Sequence, residues 1–254
     1  MILAIDMGNT NIVIGCIDDE KTYFVERMAT DQTKTELEYA IGFKTVLELY
    51  HIDTDKIVGA IISSVVPQLV NVLIGAVHKI VGFDPYVVGH GLKTGMNILM
   101  DNPKSVGSDL IVDAVAADAE YGAPCIIIDI GTATTISVVD KKRNYVGGMI
   151  LPGVRVSVDS LTNRTAQLPK IALEAPPRCI GKNTINCMQS GVIYGHAGAI
   201  DGLIDRIEEE LGYSGKIIAT GGLAKVVVPN CRHEIILDDE LLLKGLKIIY
   251  DKNR

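Results

Sequence analysis

Two stretches of the chain place a carboxylate, a glycine and short polar side chains at the end of an apolar run. The first is Asp6-Met7-Gly8-Asn9-Thr10-Asn11, after Ile2-Leu3-Ala4-Ile5. The second is Asp129-Ile130-Gly131-Thr132-Ala133-Thr134-Thr135, after Cys125-Ile126-Ile127-Ile128. This grouping suits a metal-bound polyphosphate. Aspartate offers hard oxygen to Mg²⁺, which keeps water and phosphate in the rest of its shell. Glycine lets the backbone approach a ligand closely, and successive amides form an anion-binding concavity. One copy alone reads better as a tight turn with Asn9 and Thr10 as turn residues. Two copies favour phosphate, with Asp6 able to hold Mg²⁺ and Asp129 a magnesium or monovalent cation.

Three further stretches carry weaker signals. Val106-Gly107-Ser108-Asp109 puts a carboxylate near a helix start. There it caps or complements the helix dipole, or accepts a proton from a substrate hydroxyl, as an aspartate does in other phosphoryl transfers. Gly147-Gly148 within a strand suggests a close backbone or ligand. Thr220-Gly221-Gly222 follows an apolar strand and precedes a helix, a place for a base, ribose or phosphate. Gly181-Lys182-Asn183-Thr184 lacks the upstream glycine and the hydroxyl after lysine of a P-loop. The five histidines, including His90 and His196, lack ligand spacing, and His196 reads as a packed helix residue.

The elements that must position these residues recur. Apolar runs at 2–5, 12–17 and 22–28 read as a three-strand meander, with a polar turn at 18–21. A helix is expected at 35–50 with Thr33 or Thr35 as its cap, a strand at 57–66, a helix from Pro67 to about 81 and a strand at 85–88. Residues 89–102 read as loop, and a helix capped by Ser105 or Ser108 runs to about 121. The meander then restarts as strands at 125–128, 134–139 and 145–150, with the aspartate displaced by 123 positions (129 minus 6). The matching order of five elements indicates an internal duplication. Helices to about 164, at 185–211 and at 241–250, and strands at 216–219 and 234–237, complete an α/β pattern. Gly191, Gly195, Gly198 and Gly202 in the long helix suggest close packing or a break. Two halves are expected, 1–121 and 122–254.

Composition narrows the partners. The 254 residues are 48% hydrophobic, enough for a large core, and the net charge is -7 with no Lys/Arg-rich run. Nucleic acid and anionic membrane are therefore poor partners. No apolar run reaches the roughly 18 to 20 residues needed to span a bilayer. Asp6 interrupts the N-terminal apolar run, against a signal peptide. Five cysteines without a CxxC spacing suit reduced thiols and a cytoplasmic location. Cys16 and Cys125 read as small buried apolar residues.

Taken in order, Asp6–Asn11, Ser63-Ser64-Val65-Val66-Pro67, Asp101-Asn102-Pro103, Gly107-Ser108-Asp109, Asp129–Thr135, Gly147–Gly153, Gly181-Lys182-Asn183-Thr184, Ser190-Gly191 and Thr220-Gly221-Gly222 resemble the type III pantothenate kinase family. The resemblance spans essentially the whole chain. It implies a duplicated actin/hexokinase-like (ribonuclease H-like) fold with ATP in a cleft between the halves. It implies transfer of the γ-phosphoryl of ATP to the primary hydroxyl of pantothenate, opening coenzyme A synthesis. It also implies a homodimer that needs Mg²⁺ and K⁺ or NH₄⁺.

Carried onto this chain, Asp6, Met7, Gly8, Asn9, Thr10, Asn11, Ile12, Val13 and Thr132 would contact ATP. Asp129 would hold the monovalent cation, and Asp109 would accept the hydroxyl proton. Gly107, Ser108, Asp109, Leu110 and Thr184 would line the pantothenate site, with Met100 on the same side. Leu110 stands where the family usually has arginine, and Met100 where it usually has tyrosine. Two other readings share the motifs: a nucleotide-binding, non-catalytic regulatory relative, and a kinase of the same fold for another small hydroxyl acceptor.

Overall fold

The structure, a computed structural model, describes residues 1–89 and 91–254, so His90 lies outside it. The chain divides into two compact units: Met1–Asn97 with Asp101–Ala119 and Glu240–Arg254, and Ile98–Met100 with Glu120–Asp239.

In the first unit, β1 (Ile2–Met7), β2 (Asn11–Ile17) and β3 (Thr22–Ala29) form the expected antiparallel meander. Helix α1 (Glu36–Leu49) follows, then β4 (Gly59–Ser64), α2 (Val70–Val81) and β5 (Tyr86–Val87). Strand β4 lies parallel to β1, giving the sheet order β3-β2-β1-β4-β5. Thr35, not Thr33, caps α1: its hydroxyl accepts from the Glu38 amide while the Glu38 carboxylate accepts from the Thr35 amide at 2.8 Å. The buried stripe Tyr39, Ala40, Phe43 and Leu47 then meets Leu3, Ile5, Met7, Ile12 and Ile14 on one sheet face.

The opposite face takes α3 (Ser108–Glu120) and α7 (Leu241–Asp251). Leu241, Leu243, Leu246 and Ile249 of α7 are buried. Glycines let the helix sit close. A Cβ on Gly15 would lie 2.6 Å from the Leu243 side chain, and one on Gly245 only 2.1 Å from the Val112 carbonyl. Lys247 pairs with Asp19 at 2.6 Å and with Asp251. The closing residues 240–254 thus belong with the first unit, whereas the sequence places them in the second half; an apolar helix face settles where it can be buried, whatever its place in the chain.

The second unit repeats the meander as β7 (Cys125–Ile130), β8 (Ala133–Val139) and β9 (Asn144–Pro152). Helices α4 (Val154–Arg164) and α5 (Thr184–Leu211) precede β10 (Lys216–Thr220), a single turn α6 (Ala224–Val227) and β11 (Ile236–Leu237). With the short edge strand β6 (Asn97–Ile98), the sheet order is β11-β10-β7-β8-β9-β6. Strand β6 lies in a stretch that reads as loop, because two residues carry no period. Ile126, Ile128 and Ile130 face Ile193, Ala197, Ile200 and Ile204 of α5.

Helix α5 is continuous, and a Cβ on Gly191, Gly195 or Gly198 would meet nothing within 4 Å. These glycines mark neither a break nor a close contact within the chain. Gly198→Ala should therefore stabilise the protein by about 0.5 to 1 kcal/mol through helix propensity, whereas Gly245→Ala should cost roughly 1 to 3 kcal/mol through overpacking. Urea unfolding of the two variants reads both signs.

Candidate active site

Strand β1 is paired along both edges, with Asp6 opposite Val13 of β2 and Ser63 of β4. The Asp6 side chain is only 7% exposed. Strand β1 ends at Met7 and β2 begins at Asn11, so Gly8-Asn9-Thr10 is a three-residue loop. The Gly8 amide donates to the Asn11 carbonyl at 2.9 Å. Thr30, one residue past β3, ties the loop from outside. Its amide donates to the Thr10 carbonyl at 2.9 Å, and its hydroxyl donates to the Gly8 carbonyl at 2.7 Å. Nothing local in the sequence marks Thr30, because the contact spans 22 positions. Asn9, Thr10 and Asn11 are exposed at the loop. Met7 and Ile12, expected at the nucleotide, have side chains fully buried in the core. Alternation along a strand sends them there, away from the loop.

The third strand of contacts brings Asp109 to the same sheet end. The Ser63 hydroxyl donates to the Ser108 hydroxyl at 2.9 Å, which donates to the Ser64 carbonyl at 3.1 Å. The start of α3 is thereby pinned beside the strand that carries Asp6's neighbour, Ser63. Ser108 does not cap the helix as expected; its hydroxyl is taken by β4. Asp109 is half-buried and folds back so that its carboxylate accepts the Leu110 amide at 2.9 Å. A Cβ on Gly107 would lie 2.4 Å from that carboxylate, so glycine makes the space. Burial pushes the Asp109 pKa up, and its backbone hydrogen bonds only partly offset this.

In the second unit the loop is shorter. Strand β7 ends at Ile130 and β8 begins at Ala133, leaving Gly131-Thr132. The Gly131 amide donates to the Ala133 carbonyl at 3.0 Å. Gly153, the N-cap of α4, packs on this loop: its amide donates to the Thr132 carbonyl at 3.1 Å, and a Cβ there would lie 2.2 Å from that oxygen. From the other side comes Gly221, at φ 98°, where a Cβ would sit 2.3 Å from Asp129 Oδ1. Two glycines that looked like separate turns therefore pack on one loop and its aspartate, Gly153 on the Thr132 carbonyl and Gly221 on Asp129. Thr134 is 1% exposed, on the same face of β8 as the core residues Ile136 and Val138.

The Gly147–Gly148 pair has a structural cause. A Cβ on Gly148 would lie 2.1 Å from the Ile136 carbonyl, beside the irregular register at Val138/Val139. Met100 lies over Gly147, its sulfur 3.7 Å from where a Cβ would be. Leu110 is half-buried in the first turn of α3. Thr184 is exposed at the start of α5, where Asn183 caps the helix through the Asn186 amide at 2.9 Å. Thr184 lines a groove of about 870 Å³ with Val156 and Leu161 of α4 and Met188, Gly191 and Gly195 of α5. His196 reaches the Val192 carbonyl through Nδ1 at 2.7 Å and the Pro152 carbonyl through Nε2 at 3.2 Å, a packed helix residue as read.

Comparison with known proteins gives a consistent picture. The sequence profile of the family described as type III pantothenate kinase matches residues 2–206. A protein of that name from Exiguobacterium sp. is 44% identical over 254 residues, covering all of both chains. Another from Moorella thermoacetica is 43% identical over 255 residues, again with full coverage. Among solved structures, a conserved putative Baf family transcriptional activator from Campylobacter jejuni matches with TM-score 0.59 and 20% identity, over 99% of this chain and 98% of that one. A putative 2-dehydro-3-deoxygalactonokinase from Sinorhizobium meliloti matches with TM-score 0.60 and 11% identity, over 100% and 97%. At such identities these two likenesses concern the fold, the duplicated actin/hexokinase-like α/β architecture.

The packing of Gly221 yields a test. Gly221→Ala forces a positive φ and a clash with Asp129, at a cost of roughly 2 to 4 kcal/mol. Thermal unfolding should show the loss, and titration calorimetry should show weakened nucleotide binding in the fraction that remains folded.

Proposed function

The chain belongs to the type III pantothenate kinase family, and we propose that Asp6 to Val13, Asp109 and Asp129 with Thr132 carry its reaction. That reaction moves the γ-phosphoryl group of ATP onto the primary hydroxyl of pantothenate and opens coenzyme A biosynthesis. The observation that carries the residue assignment is the placement of Asp109. Two serine hydrogen bonds hold it at the sheet end that bears Asp6 and the Gly8–Thr10 loop.

The three-residue loop presents more backbone to phosphate than the two-residue loop Gly131-Thr132, which suits Asp6–Val13 to the phosphate chain. Asp109 accepts the hydroxyl proton as the pantothenate oxygen bonds to the γ-phosphorus and the bond to the ADP oxygen breaks. Positioning of the two reactants supplies most of the rate. Gly107, Ser108 and Leu110 are assigned to the acceptor by resemblance to the family, and so, separately, are Met100 and Thr184. Leu110 and Met100 carry apolar side chains where arginine or tyrosine would offer hydrogen bonds.

The donors fit the expected ions. Asp6 would provide carboxylate oxygen to Mg²⁺, which prefers oxygen ligands and keeps several waters. Asp129, with the Gly131 backbone beside it, fits K⁺ or NH₄⁺. Bound Mg²⁺ neutralises charge on the phosphate oxygens. The apolar groove along α4 and α5 suits a second copy of the chain, so a homodimer belongs to this reading, as does a cytoplasmic location. Among the described residues no helix is long and apolar enough to cross a membrane.

Asp109→Asn is the deciding variant, assayed by pantothenate-dependent ADP release with Mg²⁺ and K⁺. Turnover should fall by about 10²-fold or more, with nucleotide affinity nearly unchanged; near-normal turnover would remove Asp109 as the base. Two signs follow from burial. In the native enzyme the acid limb of kcat should lie above the ordinary carboxylate range, since the protonated form accepts no proton. Asp109 holds its proton to higher pH when folded than when unfolded, so its contribution to stability falls as pH rises from about 3.9 through the raised value. Asp109→Asn removes that loss, and its Tm at neutral pH should equal or exceed that of the native protein.

A further inference from the structure

Thr30 makes two hydrogen bonds to the Gly8–Thr10 loop, and neither the family resemblance nor the sequence assigns it a part in the reaction. Its hydroxyl donates to the Gly8 carbonyl at 2.7 Å. Among the described residues the one cis peptide bond is Ala123–Pro124, so the Gly8–Asn9 peptide is trans. In a trans peptide the carbonyl and the N–H point in opposite directions. Holding the Gly8 carbonyl toward Thr30 therefore aims the Asn9 amide away from β3, out of the loop. The Thr30 amide fixes the Thr10 carbonyl at 2.9 Å in the same way. The Gly8 amide is itself engaged by Asn11, so the Asn9 N–H is the donor that this arrangement leaves oriented outward.

The duplication sharpens the point. Position 30 maps onto Gly153 by the same displacement of 123 that relates Asp6 to Asp129. Gly153 makes the equivalent backbone bond, to the Thr132 carbonyl at 3.1 Å. It has no side chain, and a Cβ there would lie 2.2 Å from that carbonyl. The backbone bond is thus common to both copies. The hydroxyl bond belongs to the first copy alone, where the loop is one residue longer.

We infer that Thr30 is a positioning residue for ATP: its hydroxyl orients the Gly8–Asn9 peptide so that the Asn9 amide meets a phosphate oxygen. The inference rests on the reading of Asp6–Val13 as the phosphate loop. It predicts a loss confined to the nucleotide, since Thr30 bonds to the loop and not to Ser63, Ser108 or Asp109.

Steady-state kinetics of the full-length enzyme test it with Thr30→Val, Thr30→Ser and, as a check on the loop, Asp6→Asn. Thr30→Val keeps the shape and removes the donor, so KM for ATP should rise about five- to tenfold, the worth of one such hydrogen bond. KM for pantothenate should stay within about twofold, and Thr30→Ser should recover most of the ATP affinity. Thr30→Ala replaces Thr30→Val if the valine variant does not fold. Equal ATP KM for Thr30→Val and the native enzyme, with Asp6→Asn impaired, overturns the role of Thr30 alone. Equal impairment of Thr30→Val and Thr30→Ser also overturns it, because the methyl group and not the hydroxyl would then matter. If neither Asp6→Asn nor Thr30→Val changes ATP affinity, the assignment of the loop to phosphate falls with it.

Discussion

Each sheet has a strand hydrogen-bonded along both edges, and the rest of the structure depends on where that strand runs out of partners. Strand β1 lies between β2 and β4, and β7 between β8 and β10. Both end one residue after an aspartate and immediately before a glycine. Along the strand every amide and carbonyl is committed to a neighbour, and the side chains are core. At the end, backbone donors first become available to a ligand, with a carboxylate beside them. Open α/β sheets bind ligands at the carboxyl ends of their strands for this reason.

The two copies meet that constraint differently. In the first, three residues cross from strand to strand, and a threonine just past the third strand holds them by side chain and backbone. In the second, two residues suffice, and glycines from opposite sides press against them, Gly153 on Thr132 and Gly221 on Asp129. The wide loop offers amides and the narrow one an enclosed carboxylate.

Asp109 shows what a half-buried carboxylate costs the fold. A half-buried carboxylate with its pKa pushed up by burial is destabilising when ionised. The chain accepts this at the start of α3 because Ser63, Ser64 and Ser108 fasten the helix there, and Gly107 leaves room for the carboxylate to bend back to the Leu110 amide. A position tuned for stability alone would put a capping hydroxyl there. Ser108 instead spends its hydroxyl on β4.

Much was legible in the chain itself. The alternation of β1 to β3 and β7 to β9, the capping box of α1 and the repeated Asp-x-Gly are local, and local spacing determines strand period, helix start and turn chemistry. The duplication followed from the order of these local signals, and so did the candidate aspartates. What depended on tertiary structure was every relation between residues far apart in sequence. Thr30 acts on Gly8, Ser63 on Ser108, Gly153 on Thr132 and Gly221 on Asp129, and α7 belongs with the first unit. Gly191, Gly195 and Gly198 of α5, which suggested close packing or a break, sit in an unbroken helix beside open space. The reason is physical: a residue's type limits which contacts it can make, while which contact it does make depends on what the packed sheets bring within a few ångströms of it.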